Sequence, residues 1–230
     1  MTRTQKPLPK TGSQLLRVLP FMILLLGVIV LLLIWNAIPD CWPVHWGLND
    51  QPDRWAKKSV VGVFIPLAGG FLICGFLEAV AIIVRVTARE RSELPIETTS
   101  AVAALTTDLV RTLETAIAIV FFYVGVAFPL VRHVRSIFAV VFMLSVVTAA
   151  IVIGIIRLRR GVSELKRAGH NSLEGYNGII YKNPHDPRLW VPKLIGIGYT
   201  LNFAHPWALP TLCLFLAIPA VVVLFVLTRL

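Results

Sequence analysis

Residues Pro43–Lys58, PVHWGLNDQPDRWAKK, form a dense polar and aromatic island between two long apolar runs. The chain of 230 residues is 57% hydrophobic and only 15% charged, whereas soluble domains average about 25% charged residues. The shortage of charge is concentrated in runs of about twenty residues, the length that crosses the hydrocarbon layer of a bilayer. The sequence therefore predicts a multi-pass membrane protein.

The apolar runs predict an all-α, polytopic integral membrane helix bundle with five transmembrane helices and a non-helical cytoplasmic flap. The five runs lie at about 18–38, 59–86, 112–131, 137–156 and 208–227. We expect polar helix to extend the third run back to about Thr99 and the fourth run forward to about Arg167. Residues 1–17 predict a disordered basic tail. The resulting units are that tail, a four-span membrane domain over 18–156 with an outer loop at 39–58, a cytoplasmic segment over 157–207, and a last span over 208–230.

The basic residues predict the orientation of the chain. The net charge is +10, and the lysines and arginines flank the apolar runs. With the N-terminus inside, sixteen of the 22 basic residues lie on the cytoplasmic side and six on the outer side, which is the positive-inside bias of membrane proteins. The C-terminus is then outside. This layout favours contact with anionic lipids of the inner leaflet and argues against nucleic acid as a partner.

The outer loop at 39–58 combines stiffness with polar chemistry. Three prolines restrict its backbone, and Gly47 and Asp50 favour turns. The predicted ligand-binding residues are His45, Trp46, Asn49, Asp53, Arg54, Trp55 and Lys58. The alternative is a rigid turn in which the tryptophans anchor at the interface and the polar groups cap helix ends. One histidine with acids and no second histidine partner is a weak metal pattern, so we predict neither a metal nor a cofactor, and no catalytic residue.

The loop resembles the signature of a bacterial membrane domain of unknown function that is found in SdpI-like immunity proteins. The shared residues follow the pattern P-x-H-W-G-x-N-x-x-P-D-R-W-x-x-K: Pro43, His45, Trp46, Asn49, Pro52, Asp53, Trp55 and Lys58. Asp50 stands where a glycine is common in that family. The resemblance covers about residues 18–85, and it implies the bacterial cytoplasmic membrane and a toxin-immunity and signalling role.

A second island lies at 178–203, where Asn-Pro and Asp-Pro dipeptides and three prolines exclude a regular helix. We expect an ordered extended hairpin or flap against the inner leaflet. The segment resembles a small uncharacterised domain that is often appended to this family, with the core N-P-x-D-P-R-L-x-V-P-K. The candidate partner- or lipid-binding residues are Asn183, Asp186, Arg188, Lys193 and Asn202. The alternative is a structural cap that closes the bundle.

Charged residues inside the apolar runs give a third signal. Glu78, Arg85, Arg111 and Glu114 fall at similar depths if the second span descends and the third ascends. Because an unpaired charge within a bilayer is costly, we predict that Glu78 pairs with Arg111 or Arg85. The group is interpreted either as a structural pair or as a proton or ion relay.

These patterns favour an SdpI-like receptor or signalling protein. Its outer loop would bind an envelope ligand, either peptide or lipid, and its flap would relay the state or dock a membrane or cytoplasmic protein partner. The alternative is a small transporter, or an accessory subunit of a membrane complex, that uses Glu78 and Glu114. A lipid-modifying enzyme acting through His45 and Asp53 is disfavoured, because the sequence holds no nucleophile elbow, HExxH, P-loop or CxxC motif.

Overall fold

The fold is a membrane-type helix bundle with small β-elements at both ends. The computed structural model describes residues 14–47, 50–91, 95–130, 136–194 and 198–227. Its helices are α1 (Gln14–Leu33), α2 (Val60–Arg91), α3 (Ile96–Leu130), α4 (Ser136–Arg167) and α5 (Ala208–Leu227).

Four of these helices contain stretches long and apolar enough to cross a membrane: Leu15–Leu33, Val60–Thr87, Ile96–Leu130 and Ile137–Arg167. The chain is therefore a multi-pass membrane protein with a mainly helical fold. Helix α5 matches the bounds predicted for the fifth span. That α5 crosses the membrane stays a prediction.

Helix α3 is the centre of the bundle, since it packs against α1, α2 and α4. Buried apolar residues from α1 and α2 meet it in one core, which includes Leu24, Leu31, Val63 and Leu67. Large apolar side chains on the outer surface of the bundle, such as Leu72, Phe138 and Leu144, are exposed. Such an apolar exterior is what a lipid-facing surface requires.

Small residues let the helices approach closely. A Cβ added at Gly70 of α2 would lie 2.8 Å from Leu24 Cδ2 and 2.9 Å from Phe121 Cβ. On α4, Gly154 and Gly161 receive the side chains of Leu109 and Leu105. Close contact through small residues is the usual packing of membrane helices, where burial of apolar surface from water gives no driving force.

The all-α prediction was incomplete, because six short strands among the described residues form three two-stranded antiparallel sheets. Strands β1 (Cys41–Trp46) and β2 (Pro52–Lys57) form one hairpin, here called the outer hairpin after the side of the membrane that the sequence predicts for it. Strands β3 (Tyr176–Asn177), β4 (Ile180–Tyr181), β5 (Trp190–Pro192) and β6 (Tyr199–Leu201) belong to the segment 170–203, here called the flap. These segments carry too many prolines and turn residues for a helix, so their backbone groups pair across short strands.

The helix bounds also differ from prediction at the chain's start. Helix α1 begins at Gln14, so Arg17 lies within a helix and not in the predicted tail. Helix α3 begins at Ile96, near the predicted start, and α4 ends at Arg167 as predicted. Gly169, with φ +99°, stops the chain from continuing α4 as a helix. The short link predicted between the third and fourth apolar runs, at 132–136, lies outside the described residues except for Ser136, where α4 begins.

Candidate functional site

The outer hairpin is the first candidate site, and its own backbone closes it at both ends. Lys58 N–H donates to the Asp40 carbonyl at the base, and Gly47 N–H donates to the Gln51 carbonyl near the tip. Asp50 has φ +56°, a left-handed conformation that Asp tolerates better than most residues. Backbone hydrogen bonds therefore close the hairpin at its base and near its tip.

One set of hairpin side chains anchors it to the bundle. Trp42 is only 4% exposed and belongs to the core cluster of α1 and α2. The Trp46 ring meets the edge of Phe128 on α3 at 5.4 Å between centroids. Lys58 Nζ donates to the Ile38 carbonyl at 3.0 Å and lies 5.3 Å from the Trp35 ring centroid. Trp46 and Lys58, both predicted as ligand-binding residues, therefore make structural contacts here.

Another set is displayed outward. His45 Nδ1 and Asp53 Oδ1 lie 2.5 Å apart across the two strands, and both side chains are about half exposed. Arg54 is the cross-strand neighbour of His45 and is exposed. Trp55 is 58% exposed. The remaining predicted residue, Asn49, lies outside the described residues.

The flap is organised by Asn202, which is fully buried. Its Nδ2 donates to the carbonyls of Asn183 and Asp186, each at 2.9 Å. Its Oδ1 accepts from the backbone N–H of Asn183 at 3.0 Å and of Ala204 at 3.1 Å. These four bonds use the full hydrogen-bonding capacity of an amide. The Asn202 side chain therefore holds the flap together and has no donor or acceptor left for a ligand.

Asp186 and Arg188 form a second local network. Arg188 donates to the two Asp186 carboxylate oxygens at 2.9 Å from Nε and 2.7 Å from Nη2, and its backbone N–H bonds Oδ1. These Arg188 bonds hold the pKa of Asp186 well below its usual range. The Tyr181 hydroxyl donates to Asp186 Oδ2 at 2.9 Å, and burial, helped by the Asp186 carboxylate, raises the pKa of Tyr181.

Of the five flap residues predicted to bind a partner or lipid, three make contacts that close the flap itself: Asn183, Asp186 and Asn202. Lys193 is exposed, and 60% of the Arg188 side chain is exposed despite its bond to Asp186. This geometry favours the structural-cap interpretation for the three, and it leaves Arg188 and Lys193 as the outward-facing cations.

The flap is fixed to the bundle at the start of α3 and the end of α4. The Thr98 hydroxyl on α3 lies 2.6 Å from His170 Nδ1, and Arg159 Nε on α4 donates to Asn177 Oδ1 at 3.1 Å. Leu165 and Leu173 are fully buried in a small cluster with the first turns of α3. His170 was not singled out by sequence, since a lone histidine after a helix end carries no distinctive pattern.

The intramembrane charges meet between α1, α2 and α3. Arg17 Nε lies 2.8 Å from Glu78 Oε1, and Arg111 Nη2 lies 3.8 Å from the same oxygen. The predicted pairing of Glu78 with Arg111 is therefore present at ion-pair distance, while Arg85 instead donates to the Thr107 hydroxyl at 2.8 Å. Arg17 was missed because the sequence placed it in the tail, although it directly abuts the first apolar run.

Glu114 is the exceptional member of this group. It is fully buried, and neither of its carboxyl oxygens has a hydrogen-bond partner among the described residues. The Cys74 thiol on α2 faces its backbone carbonyl at 3.7 Å. Within the described residues, no group of three or more His, Cys, Asp or Glu side chains is arranged to hold a metal.

Comparison with protein families gives two partial matches. Residues 22–70 match a domain of unknown function, DUF1648, which covers most of α1, the outer hairpin and the start of α2. Residues 184–209 match a family of unknown function, DUF5808, which covers the later part of the flap. Comparison with curated proteins and with solved structures gives no significant match. The chain is thus similar, in part, to domains of unknown function, and the SdpI-like role stays an expectation.

Proposed function

We propose that the outer hairpin is a recognition surface for an envelope ligand, a peptide or a lipid, in an SdpI-like receptor. The observation that carries this proposal is the exposed His45–Asp53 pair on a hairpin that Trp42, Trp46 and Lys58 anchor to the bundle. A rigid turn that only anchors at the interface does not require a partly exposed His–Asp pair. Fixed polar groups beside an apolar ring are the usual makeup of a recognition surface.

The residues that would contact the ligand are His45, Asp53, Arg54 and Trp55. Trp55 supplies an apolar contact, Arg54 attracts an anionic or carbonyl group, and the His45–Asp53 pair supplies a donor and an acceptor.

Helix α3 supports the relay part of the proposal, because it contacts both candidate surfaces. Phe128 near its end packs against Trp46 of the outer hairpin, and Thr98 near its start contacts His170 of the flap. Thirty residues of helix separate them, which is about 45 Å at the rise of an α-helix. A tilt of α3 on ligand binding would therefore move the surface that holds the flap.

The experiment uses the full chain in nanodiscs of phosphatidylethanolamine and phosphatidylglycerol. Native mass spectrometry measures retained lipid, and cells producing the chain are challenged with a panel of membrane-active peptides. We expect wild type to retain lipid or alter peptide sensitivity, and H45Q and D53N each to remove that effect. The matched control is D40N, an exposed acid at the base of the same hairpin. The proposal is wrong if H45Q and D53N behave like D40N in both assays.

A further inference from the structure

Glu114 is a buried carboxyl group inside the bundle, and no hydrogen bond joins its carboxyl to the outer hairpin among the described residues. Glu114 has no exposed surface, and both of its carboxyl oxygens lack a hydrogen-bond donor among the described residues. Buried polar groups in proteins are nearly always hydrogen-bonded, so an orphaned carboxyl is a feature that needs an explanation.

The depth of Glu114 places it inside the hydrocarbon layer. It lies sixteen residues before Leu130, the last residue of α3, which is about 24 Å at 1.5 Å per residue. A hydrocarbon layer of ~30 Å that begins at Leu130 would therefore include Glu114, about 6 Å from its flap-side boundary. At that depth bulk water cannot supply the missing hydrogen bonds.

The charged groups around Glu114 come from three helices. Glu78 of α2 and Arg111 of α3 act on its carboxyl electrostatically, and Arg17, Arg85 and Asp108 belong to the same cluster of charges. Arg17 is bonded to Glu78 and Arg85 to Thr107, while Arg111 approaches Glu78. No described ion pair includes Glu114.

Helix α4 adds no charge at this level. Gly154 and Gly161 of α4 contact Leu109 and Leu105 of α3. With the two helices antiparallel, α4 reaches Glu114 near Ala150, and its first charged residue, Arg157, lies nearly two turns closer to the flap. Among the described residues, Arg111 is therefore the cation that acts on the Glu114 carboxyl, and its ion pair is formed with Glu78 and not with Glu114.

We propose that Glu114 is a buried proton-binding site, and that its proton exchanges with water on the flap side through Glu78. The proton leaves a hydronium ion, forms an O–H bond on the Glu114 carboxylate and leaves neutral water behind. No other reactant is required. The ligand is thus the proton itself, and the Glu114 side chain is uncharged when the proton is bound.

Two observations support this assignment. A carboxylate without donors in a water-free site is strongly disfavoured, whereas the neutral acid is not. Glu78 also connects the site to the surface, since its side chain is 13% exposed whereas Glu114 is fully buried. Glu78 Oε2, which is buried and has no partner among the described residues, is free to pass the proton inward.

The test is infrared spectroscopy of the full chain in vesicles of phosphatidylethanolamine and phosphatidylglycerol at neutral pH. A protonated carboxyl group gives a carbonyl band distinct from that of carboxylates. We expect this band in wild type, its loss in E114Q, and its retention in E97Q, the matched control at the exposed start of α3. In E78Q the band should remain, with its exchange in heavy water slowed on the order of hundredfold.

Several results would overturn the proposal. The first such result is a wild-type spectrum without the band at neutral pH, which would mean that Glu114 is ionised. A band that persists in E114Q, or that disappears in E78Q, assigns the proton elsewhere. A band removed by sodium or potassium ions at constant pH identifies a metal-cation site instead. Unchanged exchange in E78Q rejects the route through Glu78.

Discussion

Arg17 Nε lies 2.8 Å from Glu78 Oε1. This contact joins the first turns of α1 to the C-terminal half of α2. Removing Arg17 leaves Glu78 with Arg111 at 3.8 Å as its nearest cation. Because the Arg17 side chain is half exposed, we expect R17Q to lower the free energy of unfolding by only about 0.5–1 kcal/mol.

The measurement is thermal or denaturant unfolding of the chain in detergent micelles. R160Q, at an exposed position on α4, serves as the matched control. The double variant R17Q/E78Q should be less stable than R17Q, because E78Q also takes from the buried Arg111 the carboxylate that lies 3.8 Å away. If R17Q and R160Q unfold alike, the Arg17–Glu78 pair contributes nothing to stability.

The second prediction concerns the close approach of α2 to its neighbours. At Gly70, an added methyl group would lie under 3.0 Å from Leu24 and Phe121, so G70A should destabilise the bundle by about 1–3 kcal/mol. At Gly75 on the same helix, nothing lies within 4 Å of an added Cβ. G75A should therefore be neutral, or more stable by up to about 1 kcal/mol through helix propensity. Equal unfolding midpoints for the two variants would contradict this packing.

The third prediction is the pH response of the flap. Arg188 lowers the pKa of Asp186, so this pair stabilises the flap above the unfolded carboxyl pKa of about 3.9 and loses its effect as pH falls further. The pKa of Tyr181 is raised, so its contribution is present below about pH 10 and lost as pH rises through its folded value.

Hydrogen exchange at the Arg188 amide tests this response. After correction for intrinsic exchange, its protection should stay constant from about pH 5 to pH 9, since neither group titrates there. D186N, which removes the carboxylate, should lower protection at every pH in that window. The control is H185Q, because only the backbone of His185 bonds within the turn. A wild-type protection that falls between pH 7 and pH 5 would contradict the lowered pKa of Asp186.

The fourth prediction is topological. Cys41 is exposed on the outer hairpin, Cys74 is buried, and Cys213 lies on the apolar helix α5. If α5 crosses the membrane, a membrane-impermeant maleimide applied from outside should label Cys41 alone, and C41S should abolish the labelling. A reporter fused after Leu230 should then appear on the same side as Cys41. A reporter on the opposite side would show that α5 does not cross.

Much of the architecture could be predicted because a bilayer imposes simple rules on sequence. Four of the predicted spans coincide with long apolar helices, and the extensions of α3 and α4 beyond the apolar runs were predicted correctly from small and polar helix-forming residues. The strands of the outer hairpin were not predicted. Prolines at Pro43 and Pro52 argue against regular strands, and the pairing depends on contacts between residues up to sixteen positions apart.

The candidate sites, like the fold, could be predicted only in part from the sequence. The sequence by itself determined that the chain crosses a membrane, that polar islands lie at 43–58 and 178–203, and that charges occur within the spans, because composition alone fixes these features. Only the tertiary structure decided that His45 contacts Asp53 and that the hydrogen bonds of Asn202 lie within the flap. It also decided that Arg17 pairs with Glu78, and that the carboxyl oxygens of Glu114 have no hydrogen-bond partner among the described residues. These facts depend on helix register and on side-chain distances between remote residues, which no local pattern encodes.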